Sequence, residues 1–292
     1  MFEVEHVAGV ESEVGESPRW DIEEQALYWL DIWSHPTVYR LVPATGAFQQ
    51  WTPGIPVTGQ ARRQGGGFIF ATRTGLYLWD EHTGTAHFIA DPEAGNRPVR
   101  FNDGSADRQG RFWAGTTQAD DQSQPLGSLY RVDLDRSVRT MASGLACSNG
   151  LGWSPDNRTM YVTAQFAYEL LAFDFDPATG DIENRRLFAK VPVEDGLPDG
   201  LTVDAEGCVW SAHWGGWRLT RYDPEGRIER VVRMPVPNPT SCCFGGPDLT
   251  DLYVTTAWGW LTAEQRAAAP GCGDLWVVHT DIQGLPEPKF AG

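Results

Sequence analysis

Four oxygen-bearing residues return to one register of a degenerate repeat: Glu16 in ESPRWD, Asn102 in NDGSAD, Asn149 in NGLGWS and Asp199 in DGLTVD. Each stands four residues ahead of a small or apolar position and five ahead of Asp or Ser, with a turn and a strand following. A repeat that presents one polar residue at one register can gather those oxygens around a common axis. Two carboxylates and two amide oxygens so gathered would suit a divalent cation, and an all-oxygen set favours calcium, magnesium or manganese over a His/Cys zinc or copper site. Asn and Asp ahead of Gly are also ordinary turn formers. Glu16, ahead of Ser-Pro, is not, and the common register sets the group apart.

Positioning such a ring falls to the repeat itself. Six copies run from ESPRWD at Glu16 to GCGDLWVVHTDIQGLP at Gly271, each a polar loop, a Gly-containing turn and a succession of short strands. Segments such as ALYWLDI, RFWAGT, LYRVDL and CVWSAH alternate with the two-residue period of strands packed on one face. PATG, EHTG and PEG supply hairpin turns where Gly takes positive φ. Units of roughly 40 to 50 residues are the repeat length of a β-propeller, so the expected fold is all-β, a six-bladed β-propeller forming one domain over residues 1–292. Glu3 to Ala8, EVEHVA, is expected to add the outer strand of the last blade and close the ring. The one helical candidate is Thr262 to Pro270. In a propeller the innermost strand of every blade opens at one channel mouth, which puts Glu16, Val57, Asn102, Asn149, Asp199 and Cys243 at the ring positions.

Composition narrows the function. Apolar residues make up 41% of the chain, with 13 Trp, 13 Phe, 32 Gly and 20 Pro, the balance of a large core cut by frequent turns. A net charge of −16 argues against nucleic acid, which needs a basic patch. No run approaches the ~18 apolar residues of a membrane span, and MFEVEHVAGVESEVGES lacks the basic and apolar regions of a leader, so a soluble cytoplasmic protein with no membrane partner is expected. Five cysteines without a CxxC pair suggest neither a disulfide framework nor a thiolate zinc site. The six histidines show no HxH or HExxH spacing. His213, in SAHWGGW, lies close to the fifth inner strand and is expected to be packed. No GxSxG elbow or phosphate loop is present.

At RFNDG, SNGLGWSPD, PDGLTVDAEG and SCCFGGPDL the chain resembles the SMP-30/gluconolactonase/regucalcin family, and the likeness runs in order along nearly all 292 residues. The resemblance implies a six-bladed propeller that holds one divalent metal ion in its channel and hydrolyses sugar lactones. Carried over by position, it implies metal ligands at Glu16, Asn149 and Asp199. It implies substrate contacts at Arg100, Asn102 and, through a variable loop, Asp120. The candidate ions are calcium, magnesium, manganese, iron(II) and zinc. Two stretches depart from the family pattern: Thr163-Ala164-Gln165 stands where relatives usually read Asp-Ser, and Trp258, with Trp260 nearby, stands where many bacterial relatives have Arg.

The resulting expectation is a metal-dependent lactonase. Asp199 is the candidate general base toward water, and Arg100 and Asn102 hold ring hydroxyls and balance developing charge. Trp214 and Trp217 are candidates to stack on a sugar. Two alternatives stand beside it. One is a metal-dependent esterase or phosphotriesterase on the same fold, which Trp258 and Trp260 would suit. The other is a non-enzymatic calcium-binding or interaction propeller, against which the chain lacks the framing of WD repeats: Trp20-Asp21 and Trp79-Asp80 fall in different registers.

Overall fold

The β-branched and aromatic runs form strands because their side chains fill both faces of a sheet, and the computed structural model, which describes residues 2–95 and 99–292, assembles those strands as a ring of blades. β1 (Glu3–Ala8) precedes the first blade, which comprises β2 (Gly15–Asp21), β3 (Ala26–Asp31), β4 (Thr37–Val42) and β5 (Ala47–Trp51). Blade two is β6 (Val57–Arg62), β7 (Phe68–Thr72), β8 (Gly75–Trp79) and β9 (Ala86–Ala90); blade three is β10 (Val99–Ala106), β11 (Phe112–Gln118), β12 (Gly127–Val132) and β13 (Val138–Leu145). Blade four is β14 (Ser148–Trp153), β15 (Thr159–Ala164), β16 (Glu169–Phe175) and β17 (Ile182–Lys190). Blade five is β18 (Leu197–Val203), β19 (Val209–Trp214), β20 (Arg218–Tyr222) and β21 (Ile228–Arg233). Blade six contains β22 (Pro239–Gly245), β23 (Asp251–Thr256) and β24 (Leu275–His279). Its sheet order is β1-β24-β23-β22, so the first strand of the chain is the outer strand of the last blade, as expected. This pairing joins the two ends of the ring and covers an edge that would otherwise carry unpaired N–H and C=O groups.

Strand burial departs from the one-face pattern read in the sequence. β3, β6, β7 and β14 are buried at every position, whereas β5 and β21 are mostly exposed. Blades stack face to face, so strands near the axis are covered on both faces and outer strands on neither completely. The inter-blade layers are aromatic: Phe101, Phe112 and Tyr130 of blade three pack on Ile69, Leu76 and Leu78 of blade two, and Trp20 of blade one stacks on Tyr253 of blade six at 5.7 Å. Complete burial of a side chain such as Phe112 contributes about 3 kcal/mol.

The Asp five residues beyond the ring position has a structural purpose. Asp107 accepts N–H donors from Gln109 and Arg111 and the indole Nε1 of Trp113; Asp204 does the same for Glu206, Cys208 and Trp210. These side chains tie the turn between first and second strand to the aromatic core.

Each innermost strand also carries a register shift near its channel-mouth end: between Glu16 and Arg19, Val57 and Gly59, Phe101 and Asp103, Asn149 and Leu151, Pro198 and Leu201, and Pro239 and Ser241. A bulge bends the strand and re-aims the extra side chain, and here the extra residues include Asn102, Asp199 and Thr240. The sixth ring position is therefore Thr240, not Cys243. Cys243 pairs with Tyr253 farther down the strand and is buried among Trp20, Leu249 and Tyr253. The CFGG stretch resembles the other copies but begins beyond the bulge.

Beyond β24 the chain crosses the opposite end of the channel. Phe290 is fully buried and pairs with the second blade, donating to the Arg62 carbonyl at 2.8 Å and accepting from Gln64 N–H at 2.9 Å. The short helix α1 (Ala263–Ala268) lies within the helical stretch expected from sequence, with Thr262 as a capping-box residue. No helix among the described residues is long and apolar enough to cross a membrane.

Candidate active site

The bulges turn the ring residues toward one mouth of the channel. Glu16, Arg100, Asn102, Asp120, Asn149 and Asp199 all line a single cavity of about 590 Å³. The expected metal and substrate residues are thus brought to one place, from four strands, β2, β10, β14 and β18, and one loop.

Glu16, Asn149 and Asp199 form the floor, at 6%, 3% and 2% exposure. Ser17 N–H donates to Glu16 Oε2 at 3.0 Å, with Ser17 held at φ 53°. Asn149 donates through Nδ2 to Asp199 Oδ1 and to Gln165 Oε1, while its own Oδ1 accepts Gly150 N–H at 3.1 Å. The backbone of Asp199 is fixed from the neighbouring blade by Thr163 of β15, whose hydroxyl donates to the Asp199 carbonyl at 2.9 Å. Above the floor, Arg100 Nη1 donates to the Phe101 carbonyl at 2.9 Å and to Asn102 Oδ1 at 3.3 Å, and Asn102 Nδ2 donates to the Ser148 carbonyl at 3.3 Å. Asp120 sits exposed at the rim with no hydrogen bond among the described residues.

Beneath the floor is a third buried acid, Asp103, which accepts Gly104 N–H at 2.7 Å and the Ser17 hydroxyl at 3.4 Å. Burial pushes the Glu16 carboxyl well above the ordinary range, with the charges of Asp199 and Asp103 adding to the effect. Asp199 is likewise pushed well up by burial and then by Asp103, and Asp103 is raised by its own burial. The cation facing this cluster is Arg19, whose guanidinium holds the carbonyls of Pro18, Gln60 and Gly104 and lies 3.8 Å from Glu287. Glu287 is buried as well, so four desolvated carboxyl groups share that guanidinium and carry a deficit of positive charge, which a divalent cation on the floor would relieve.

The donor set fits such an ion. Its oxygens are two carboxylates and an amide, the hard donors that calcium, magnesium and manganese take. Among the described residues no group of three or more His, Cys, Asp or Glu side chains is placed to hold an ion, so the Asn149 amide is needed to complete the set. A half-turn of that amide exchanges its Nδ2 for Oδ1 in the direction of Asp199.

Several residues of the site were not singled out by type and spacing. Asp103, beneath the floor, was hidden inside the turn-like NDG of blade three, and Gln165, which lines the cavity, inside a stretch noted only for its departure from a pattern. Gln165 Oε1 also accepts from the Cys147 thiol at 3.3 Å. One wall is aromatic: Trp33, Trp214 and Trp260 line the cavity, with ring centroids 4.8 Å apart for Trp33 and Trp260 and 5.7 Å for Trp214 and Trp260. Trp217 and Trp258 lie outside the lining. Trp258 instead donates to the Glu11 carbonyl at 2.7 Å beneath the Arg266 guanidinium. His213 is fully buried and packed as expected, its Nδ1 3.0 Å from the Asp195 carbonyl oxygen and its Nε2 without a partner.

Comparison with known proteins gives a consistent picture. The family model for the SMP-30/Gluconolactonase/LRE-like region matches residues 14–258. Regucalcin of Gallus gallus is 36% identical over 99% of this chain and 98% of its own length. A 6-deoxy-6-sulfogluconolactonase of Pseudomonas putida is 37% identical over 96% of each. A solved structure described as a calcium-binding protein, regucalcin, from Agrobacterium tumefaciens superposes with a TM-score of 0.93 at 26% identity, covering 99% of this chain and 97% of that one.

Proposed function

The chain belongs to the SMP-30/gluconolactonase/LRE-like family, and from that premise we propose that it is a metal-dependent lactonase that opens a sugar lactone to the sugar acid. The observation that carries the reading is the convergence of Glu16, Asn149 and Asp199 on the floor of one cavity, with Arg100 and Asn102 directly above. Glu16, Asn149 and Asp199 would hold the ion, for which calcium, magnesium, manganese, iron(II) and zinc are the candidates. When bound, the ion would supply Lewis acidity toward the lactone carbonyl and the attacking water.

The chain's own residues do the rest. Asp199, fixed by Asn149 and by Thr163 through its backbone, accepts the proton of the attacking water at a carboxylate oxygen. Arg100 and Asn102 present donors to ring hydroxyls and to the oxygen that gains negative charge at the tetrahedral stage. Asp120, exposed at the rim, accepts from a hydroxyl farther from the reacting carbon. Burial of the floor excludes bulk water and so strengthens each of these interactions.

The test is hydrolysis of five- and six-membered sugar lactones by chelator-stripped protein, before and after each candidate ion is added. Restored turnover with any of them, lost in Asp199→Ala that still folds, supports the reading; a folded Asp199→Ala with the wild-type rate sinks it. A second reading has one observation behind it. The aromatic wall of Trp33, Trp214 and Trp260 would take an aryl group, so aryl esters and organophosphates belong in the same panel.

A further inference from the structure

Resting on the metal-dependent reading, we infer that Gln165 is a positioning residue of the ion site: its side-chain amide braces Asn149 of blade four against Asp199 of blade five, and so sets how tightly the floor holds a cation.

Gln165 opens the short 3₁₀ turn Gln165–Ala167 that follows β15. Backbone groups alone make that turn. Gln165 N–H donates to the Cys147 carbonyl at 3.0 Å, Phe166 N–H donates to the Ala146 carbonyl at 3.2 Å, and Tyr168, at φ 55°, donates its N–H to the Gln165 carbonyl at 2.9 Å. A Ser or Ala at this position would make the same bonds, so the long side chain is not needed to shape the loop. It reaches instead into the floor, where it is 7% exposed and lines the cavity.

There the amide meets two of the three residues that would hold the ion. Oε1 accepts from Asn149 Nδ2 at 3.2 Å and from the Cys147 thiol at 3.3 Å. Burial and then Asp103 push the Asp199 carboxyl upward, and a hydrogen bond from the Gln165 side chain offsets part of that push. Asn149 and Asp199 also touch one another, so the three side chains form a closed triangle across two blades.

Ordering a Gln costs more rotamer entropy than ordering a Ser or Ala, and burying its amide is unfavourable unless both ends find partners. Here both ends find them on residues of the ion site. Ligand side chains held in this way have less freedom to lose when a cation arrives, and removing such an outer partner typically weakens metal binding about 10- to 100-fold. An amide serves either orientation of Asn149. It accepts while Asn149 presents Nδ2 and can donate once a half-turn presents Oδ1, which neither a carboxylate nor an apolar side chain does.

The experiment measures the Kd of each candidate ion by calorimetry on chelator-stripped protein, with thermal melts in chelator beside it. Gln165→Met keeps the length of the side chain and removes both ends of the amide. Gln165→Ser keeps the backbone turn, and Ser is a residue relatives usually carry in this stretch, so its folding provides a second variant. For the ion that wild type binds most tightly, each variant is expected to raise Kd at least about tenfold, and lactone turnover lost at limiting metal should return as metal is raised. A packing role alone would lower the melting temperature in chelator and leave Kd where it was. An unchanged or tighter Kd in either folded variant overturns the brace alone. Wild type that binds none of the candidate ions, by calorimetry or by melts, overturns the metal-dependent reading and the brace with it.

Discussion

Replacing Asp199 with Asn should stabilise the metal-free protein and at the same time remove its stabilisation by metal. Glu16, Asp103 and Asp199 are buried together, and the carboxyl groups of Glu16 and Asp199 are both pushed upward by burial and by acidic neighbours. Two like charges about 5 Å apart at an effective dielectric near 20 repel by about 3 kcal/mol. Partial protonation lowers that figure, so relief of about 1–3 kcal/mol is expected from the neutral isostere. The Asn side chain keeps an Oδ1 to accept from Asn149 Nδ2, which leaves the local hydrogen bonding intact. For a chain of this length about 1 kcal/mol moves the midpoint by about 2 °C, so Asp199→Asn should melt about 2–6 °C above wild type in chelator. Wild type at a metal concentration about 100 times its Kd should gain about 2.7 kcal/mol, or about 5 °C, and the variant almost nothing. Thermal melts in chelator and in excess calcium, magnesium or manganese read out both signs independently of turnover. A variant that melts below wild type in chelator and still rises with metal would refute the account of the floor.

Three further outcomes follow from the fold. Burial lowers the His213 pKa from 6.5 to about 4, so the folded state resists a proton that the unfolded chain takes up. The stability tied to this residue is fully present above pH 6.5 and lost as pH falls to about 4, on the order of 3 kcal/mol; denaturant melts across that window should show a shallower fall in His213→Leu than in wild type. A Cβ at Gly59 would lie 2.5 Å from the Gly104 backbone nitrogen of the next blade, so Gly59→Ala should lower stability by about 2–3 kcal/mol in urea titrations. Phe290→Ala should cost about 3–5 kcal/mol, because the ring is fully buried against the second and third blades; a change below about 1 kcal/mol in the same titrations would show that the segment closing the channel contributes little.

The architecture was legible because each blade repeats a local pattern. Strand periodicity, Gly turns and the Asp that ties the first hairpin all act over fewer than a dozen residues, so each copy carries its own evidence. Glu16, Asn149 and Asp199 could be found for the same reason: they recur at one register of that pattern. The family resemblance added Arg100 and Asp120, which have no register of their own. Burial of the middle strands on both faces was not legible, since the second face is covered by a neighbouring blade rather than by the strand's own sheet.

The sixth ring position shows where local reading stops. A bulge sets two residues against one on the partner strand, so the residue facing the channel depends on how β22 pairs with β23, and pairing places Thr240 there and Cys243 in the core. Asp103, Gln165 and Arg19 reach the site from separate blades, with partners such as Ser17 at a separation of 86 residues. By itself the sequence determined the repeat, the turn chemistry and the oxygen donors at one register, because these rest on backbone preferences and the two-residue period of a strand. Only the tertiary structure decided which side chains share the cavity and which charges remain unbalanced in it, because those depend on contacts between blades and on the water those contacts exclude.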